Sequence, residues 1–186
     1  MDKRMQILAE AQKLFAEKGY YGLGLSELLK RCGIPKGSFY YYFPDGKIQL
    51  IQEVLEYSYQ HMLSWIDTWK MQEPTALAAF SHMADHLIEG IREKRRLGTL
   101  MLSMIAIESV YLDEHVNETC RNIYNSWQQY YARWLEDYGF DAAQSQRKAQ
   151  AVFALIHGSL ISSWIKQDPG DMYLAKETLK EILADE

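Results

Sequence analysis

The residues best equipped for chemistry lie close together: Lys36-Gly37-Ser38-Phe39-Tyr40-Tyr41 offers an ammonium, a bare backbone, a hydroxyl and two phenols in one short stretch. No general base stands beside a nucleophile in it, and no metal-ligand spacing occurs. It is a set of hydrogen-bond donors, the kind that engages phosphate oxygens and guanine edges. At helical spacing Lys36, Gly37, Ser38, Tyr40 and Tyr41 are expected to face outward, where a nucleic acid would meet them, while Phe39, Tyr42 and Phe43 turn inward to hold the segment down. Gly37 permits close approach to a groove floor, and Lys47 farther along can grip another phosphate. Lys30 and Arg31 are either additional phosphate contacts or plain solvated charges.

Such donors read DNA only when a helix carries them into a groove. Ile7, Leu8, Ala11, Leu14 and Phe15 recur at helical spacing and predict a first helix over 2–18, stopped by Gly19. A short second helix follows Gly24 with Leu25, Leu28 and Leu29 on one face and ends at Cys32-Gly33. A third begins at Pro35, a residue tolerated in a first turn, and reaches about Tyr42. Two short helices joined by a glycine-containing turn and backed by a longer one make Gly24 to Phe43 a helix-turn-helix, its later helix in the major groove. Phe43-Pro44-Asp45-Gly46 breaks that helix, and Asp45 is placed to cap a fourth over about 47–70. Further breakers and caps mark helices over about 75–93, 98–109, 113–138, 141–167 and 171–184. The expected fold class is all-α with nine helices: a three-helix head over 1–46 and a larger helical body over 47–186.

The net charge of −5 is divided unevenly: residues 1–50 hold 8 Lys/Arg against 5 Asp/Glu, and residues 51–186 hold 12 against 20. A basic head on an acidic body suits a molecule that meets nucleic acid at one end only. Cys32 and Cys120 suggest neither a disulfide framework nor a zinc site. The most apolar stretch, 97–107, falls far short of the roughly 20 residues a membrane helix needs. Met1-Asp2-Lys3-Arg4 leads into an amphipathic helix and not a signal sequence, so a cytoplasmic location is expected, with no membrane partner.

The run Gly33-Ile34-Pro35-Lys36-Gly37-Ser38-Phe39-Tyr40-Tyr41-Tyr42-Phe43, with the lead-in Leu25-Ser26-Glu27-Leu28-Leu29, resembles the TetR family of bacterial repressors, whose third helix reads like GVSKGTLYHYF. The resemblance covers about residues 4–50. Gly24 stands where a capping Thr or Ser is usual, and the joint Phe43-Pro44-Asp45-Gly46-Lys47 is one residue longer than the common F-x-S-K form, which is similar to the LmrA-type branch. The resemblance implies a ligand-responsive transcriptional regulator, a repressor that binds a palindromic operator as a homodimer and is released by an inducer. It assigns Tyr40 to a phosphate instead of an aromatic core, makes 47–186 the ligand-binding and dimerisation domain, and the branch implies a hydrophobic or aromatic inducer. The dimer interface is expected in the last two helices, about 141–167 and 171–184. Phe153, Leu155, Ile156, Leu160, Ile161, Trp164 and Ile165 make the first of these broadly apolar, and core packing would explain each equally well.

The body is rich in flat and adaptable side chains, among which Trp65, Met83, Met104 and Trp127 are candidates to line an inducer cavity. Core packing is the ordinary role for such residues. Glu108, at the end of the apolar run 100–107, could orient a ligand hydroxyl or amine, or could stand in water at a helix end. His82 and His86 are four residues apart on one helix face, but no third metal ligand joins them. Only Arg121 stands beside Cys120 to lower its pKa, which argues against redox sensing. With no phosphate-cradling loop, nucleophile elbow or Glu-x-x-His pair, an enzyme is not expected, and neither is a cofactor or metal. The alternatives are a DNA-binding regulator without a small-molecule ligand and, last, a helical enzyme.

Overall fold

A computed structural model describes residues 2–93 and 98–184. The described residues form nine α-helices: α1 (Lys3–Gly22), α2 (Leu25–Cys32), α3 (Lys36–Tyr42), α4 (Gly46–Asp67), α5 (Ala76–Arg92), α6 (Gly98–Ser109), α7 (Glu114–Asp137), α8 (Ala142–Lys166) and α9 (Gly170–Ile182). A single turn of 3₁₀-helix, Lys70–Gln72, precedes α5. No strand occurs among the described residues, and none of their helices is long and apolar enough to cross a membrane.

Local chemistry accounts for most boundaries. Thr75 accepts the Ala78 N–H (3.1 Å) ahead of α5, Asp113 accepts those of His115 (2.9 Å) and Val116 (3.4 Å), and Asp141 those of Ala143 (2.9 Å) and Gln144 (3.0 Å). Each cap satisfies amides that the first helical turn leaves without a partner. The break expected at Gly19 is present: Gly19 takes φ 67 and ψ −175, and one further helical turn follows it to Gly22 within α1. Two expectations are revised. Pro35 caps α3 from outside, with φ −72 and ψ 157, and does not occupy its first turn. The Asp45 carboxylate accepts no backbone N–H among the described residues; the Asp45 N–H instead donates to Gln49 Oε1 (3.1 Å).

The chain divides into two compact units that are not contiguous in sequence, Met1–Ser64 with Gly98–Ile123, and Trp65–Leu97 with Tyr124–Glu186. In the first, α1 packs on α2 and α6. Its core takes Ile7, Leu14 and Phe15 from α1, Leu28 from α2, Phe39 from α3, and Leu50 and Ile51 from α4, all at most 1% exposed. The Gln12 side-chain amide reaches from α1 to Ser58 Oγ on α4 (3.0 Å).

The second unit packs α8 on α9, with α5 against both. Its core is largely aromatic. Phe80 lies 4.2 Å from Trp134 and 5.2 Å from Tyr131, centroid to centroid, the latter edge to face. Such ring pairs add about 0.5–1.5 kcal/mol beyond the area they bury. Lys148 on α8 donates to the carbonyls of Ile182 (2.7 Å) and Ala184 (2.9 Å), which answers the acceptors that the end of α9 leaves open.

Candidate nucleic-acid interface

The turn between α2 and α3 is made by Gly33, which takes the left-handed conformation (φ 62, ψ 40) and donates to Lys30 O (3.3 Å), while the Ile34 N–H closes on Leu29 O (3.1 Å). This geometry ends α2 within one residue and starts α3 at a new angle. Two rings then fix α3 from beneath: Phe39 and Phe43, neither exposed, stack at 5.3 Å with planes 26° apart. The Arg4 guanidinium lies 5.4 Å from the Phe43 centroid and pairs with Glu53 at 2.5 Å, so the start of α1 is tied to the helix that follows α3.

With Phe39 and Phe43 inward, α3 presents Lys36, Gly37, Tyr40 (43% exposed) and Tyr41 (80% exposed) to solvent. Ser38 and Tyr42 are half-buried. Lys36 Nζ sits 5.9 Å from the Tyr40 centroid. A Cβ built on Gly37 meets nothing within 4 Å, so the protein's own packing does not call for glycine there.

Ion pairing sorts the basic side chains of the head. Lys18 pairs with Glu27 (2.6 Å), and Arg31 with both Glu17 and Glu27 (3.0 Å each). The Lys18 hydrogen bond, with help from Arg31, holds the Glu27 carboxyl below the usual carboxylate range. Lys3 donates to Cys32 O (3.0 Å), at the end of α2. Lys30 and Lys36 are exposed and form no ion pair among the described residues, which leaves their charge for an outside anion.

Lys47 and Glu108 are both spoken for within the first unit. Lys47 Nζ donates to Tyr20 O (2.6 Å) and lies 4.1 Å from the Tyr20 ring centroid. Burial lowers its pKa, and Glu108 acts in the opposite direction. Glu108 Oε2 accepts the Tyr20 N–H (3.1 Å). Both side chains were singled out by position, and neither contact is visible from local spacing, since the partners lie 27 and 88 residues away.

The remaining cavity candidates are divided. Met104 (44% exposed) belongs with Glu108 to the first unit, while Trp65, Met83 and Trp127 belong to the second. There Met83 Sδ accepts the Tyr131 hydroxyl (3.2 Å) and Trp65 lies 4.2 Å from the His86 ring. His82 stacks on Trp69 at 4.3 Å and contacts Glu73 Oε1 at 2.6 Å, and no group of three metal-ligating side chains occurs among the described residues. Burial raises the Cys120 thiol above its ordinary pKa, the opposite of what a reactive thiolate needs.

One polar residue escaped the sequence reading. His157 on α8 is 7% exposed, with neither ring nitrogen hydrogen-bonded among the described residues. Phe153 stacks on it at 4.0 Å, Trp127 meets it edge-on at 4.5 Å and Tyr124 lies 5.8 Å away. Burial pushes the imidazole down to about 4, so it is neutral at pH 7. Its signal in the sequence is a lone imidazole within the apolar run Phe153 to Leu160.

Comparison with known proteins places this geometry. Residues 7–54 match the family model for bacterial regulatory proteins of the TetR family, and residues 76–178 match that for the C-terminal domain of LmrA/YxaF-like transcriptional regulators. The HTH-type transcriptional regulator LmrA of Bacillus subtilis is 30% identical over 171 residues, 87% of this chain and 86% of its own length. The regulator YxaF of the same organism is 25% identical over 182 residues, 98% of this chain and 95% of its own. The crystal structure of Escherichia coli NemR in its reduced form superposes with a TM-score of 0.86 at 22% identity, over 99% of this chain and 98% of that one, a likeness of fold. NemR, a transcriptional repressor, is also 52% identical over 42 residues, 23% of this chain and 21% of its own. The chain is therefore a DNA-binding transcriptional regulator and not an enzyme, and it belongs to the TetR family, in its LmrA/YxaF-like branch.

Proposed function

We propose that this regulator is a repressor that binds a palindromic operator as a homodimer and leaves it when a small hydrophobic or aromatic inducer enters the body. Lys36, Gly37, Ser38, Tyr40 and Tyr41 contact DNA, with Lys30 on a flanking phosphate, and residues 1–46 are the DNA-binding domain. Residues 47–186 bind the ligand and make the dimer. Lys47 is reassigned from phosphate contact to its internal partner, Tyr20.

The observation that carries the DNA side is the open polar face of α3, with Gly37, which the protein's own packing does not require, in its first turn. One such head makes few phosphate contacts and binds weakly at physiological salt, which is why two heads are needed. The dimer reading is supported by apolar side chains left open on α8 and α9: Ile165 is 75% exposed and Leu174 62%, whereas Phe153, Ile156 and Leu160 serve the core. The inducer reading is supported by His157, a buried imidazole that could meet a polar atom of a planar molecule seated among Tyr124, Trp127 and Phe153.

Inducer and operator must oppose each other reciprocally. The test is a duplex selected by the full-length protein from random-sequence DNA, titrated with and without a broad panel of planar aromatic compounds. A palindromic selected site, release of DNA by at least one compound, and weaker release in His157→Phe are expected. A palindrome whose affinity no compound changes would leave a regulator without a small-molecule ligand, and a selected site lacking two-fold symmetry would remove the dimeric reading.

A further inference from the structure

Tyr20 is gripped from two sides. Gly19 breaks α1 with φ 67 and ψ −175, a conformation that residues with a side chain rarely adopt. A Cβ at this position would also come within 3.1 Å of Glu108 Oε1. Glycine is thus required by its own backbone, and a Cβ would in addition crowd the Glu108 carboxylate. Beyond the break, the Tyr20 N–H donates to Glu108 Oε2 (3.1 Å), in the last turn of α6, and the Tyr20 carbonyl accepts from Lys47 Nζ (2.6 Å), in the first turn of α4. The Lys47 ammonium also covers the Tyr20 ring at 4.1 Å.

Both jaws are charged side chains on main-chain atoms, the stronger class of hydrogen bond. Because they hold the backbone, rotation of the Tyr20 side chain does not release them. The end of α1 that they hold also carries Glu17 and Lys18, whose ion pairs with Arg31 and Glu27 tie it to α2. One residue therefore links α6 and α4 to the helix on which α2 is seated.

We infer that Glu108 and Lys47 are positioning residues of the DNA-binding head, clamping Tyr20 between α6 and α4 and so setting the angle at which α2 and α3 are presented to DNA. They act through Tyr20 and make no contact with DNA. This rests on the assignment of α3 as the reading helix, and it needs no inducer.

The test uses the full-length chain as wild type, Glu108→Ala, Glu108→Gln and Lys47→Met. Two quantities are read: hydrogen exchange at the Tyr20 amide, and affinity for duplexes carrying one or two copies of the half-site that the wild type selects, with the spacing of the pair varied one base pair at a time. A misaligned head still fits one half-site but not two at a fixed separation. Glu108→Ala and Lys47→Met are expected to lose about ten-fold on the best-spaced pair, the loss expected for one such hydrogen bond, and to flatten the spacing profile. Their affinity for the single half-site should stay within about two-fold of wild type, a change too small to reflect loss of a contact. Glu108→Ala should also speed Tyr20 exchange. Glu108→Gln keeps an acceptor but not the charge, and should lie closer to wild type than to Glu108→Ala on every readout.

A wild-type spacing profile with a protected Tyr20 amide in Glu108→Ala would overturn the inference. So would an equal loss on one and two half-sites, which would make the pair a support for the head's own fold, or a Glu108→Gln as defective as Glu108→Ala. If Glu108→Ala does not fold, Lys47→Met and Glu108→Gln carry the same comparison. A wild type that binds single and paired sites alike would count against the dimer, and Tyr20 exchange would then decide the clamp by itself.

Discussion

Acidification should weaken the second unit through a single side chain. His157 has an ordinary value of 6.5 and is pushed down to about 4 by burial. The unfolded chain then binds a proton that the folded chain refuses over the interval between those values. The contribution of His157 is therefore intact above pH 6.5 and declines as pH falls toward 4. Between pH 7.5 and 4.5 the expected loss is about 2–3 kcal/mol, since each pH unit crossed between the two values removes somewhat more than about 1 kcal/mol. All five tryptophans (Trp65, Trp69, Trp127, Trp134 and Trp164) lie in the second unit, so urea unfolding followed by tryptophan fluorescence reports on it directly. Carboxylates elsewhere also titrate, and the comparison with His157→Leu at equal protein concentration removes them. The wild type should lose about 2–3 kcal/mol more than the variant over that range. Parallel pH profiles, within about 0.5 kcal/mol, would refute the claim that a neutral imidazole is enclosed by Phe153, Trp127 and Tyr124.

Three further outcomes are expected. Lys36→Ala should weaken binding to the selected duplex and lower the slope of log affinity against log salt by about 1, as loss of one phosphate contact requires, while Tyr40→Phe weakens binding with the salt slope kept; fluorescence anisotropy across a salt series distinguishes them. Gly33→Ala should destabilise the head by about 1 kcal/mol, since alanine is strained at the left-handed φ of 62 that turns α2 into α3, and thermal unfolding with DNA-binding activity measures it. If α8 and α9 form the proposed dimer interface, Leu174→Glu should give a monomer where the wild type is a dimer, read by sedimentation velocity, and leave the helical circular dichroism of each chain unchanged.

The side chains that anchor α3 were legible in the sequence because an α-helix imposes its own period: Phe39 and Phe43 share one face and are buried and Tyr41 lies away from them and is exposed, whereas Ser38, expected outward, and Tyr42, expected inward, are both half-buried. The same holds for α6, whose limits of 98–109 follow from Gly98 and the end of an apolar run. It also holds for the caps Thr75, Asp113 and Asp141, which bond amides two or three residues away. Such interactions are local, and composition and order decide them.

What lay beyond the sequence depends on residues far apart in the chain. Lys47 and Glu108 carry charges suited to a phosphate and to a ligand, and only the packing of α1 against α4 and α6 shows both turned to Tyr20. Arg31 and Lys30 are neighbours of the same charge, yet Arg31 is neutralised by Glu17 and Glu27, and Lys30 is left open. His157 is a lone imidazole within the stretch Phe153 to Leu160 until α7 brings Tyr124 and Trp127 over it. Helix period and capping are written in neighbouring residues, so the sequence determined the reading head. The partner of a charge and the solvation of an imidazole are set by which helices meet, and that only the tertiary structure decided.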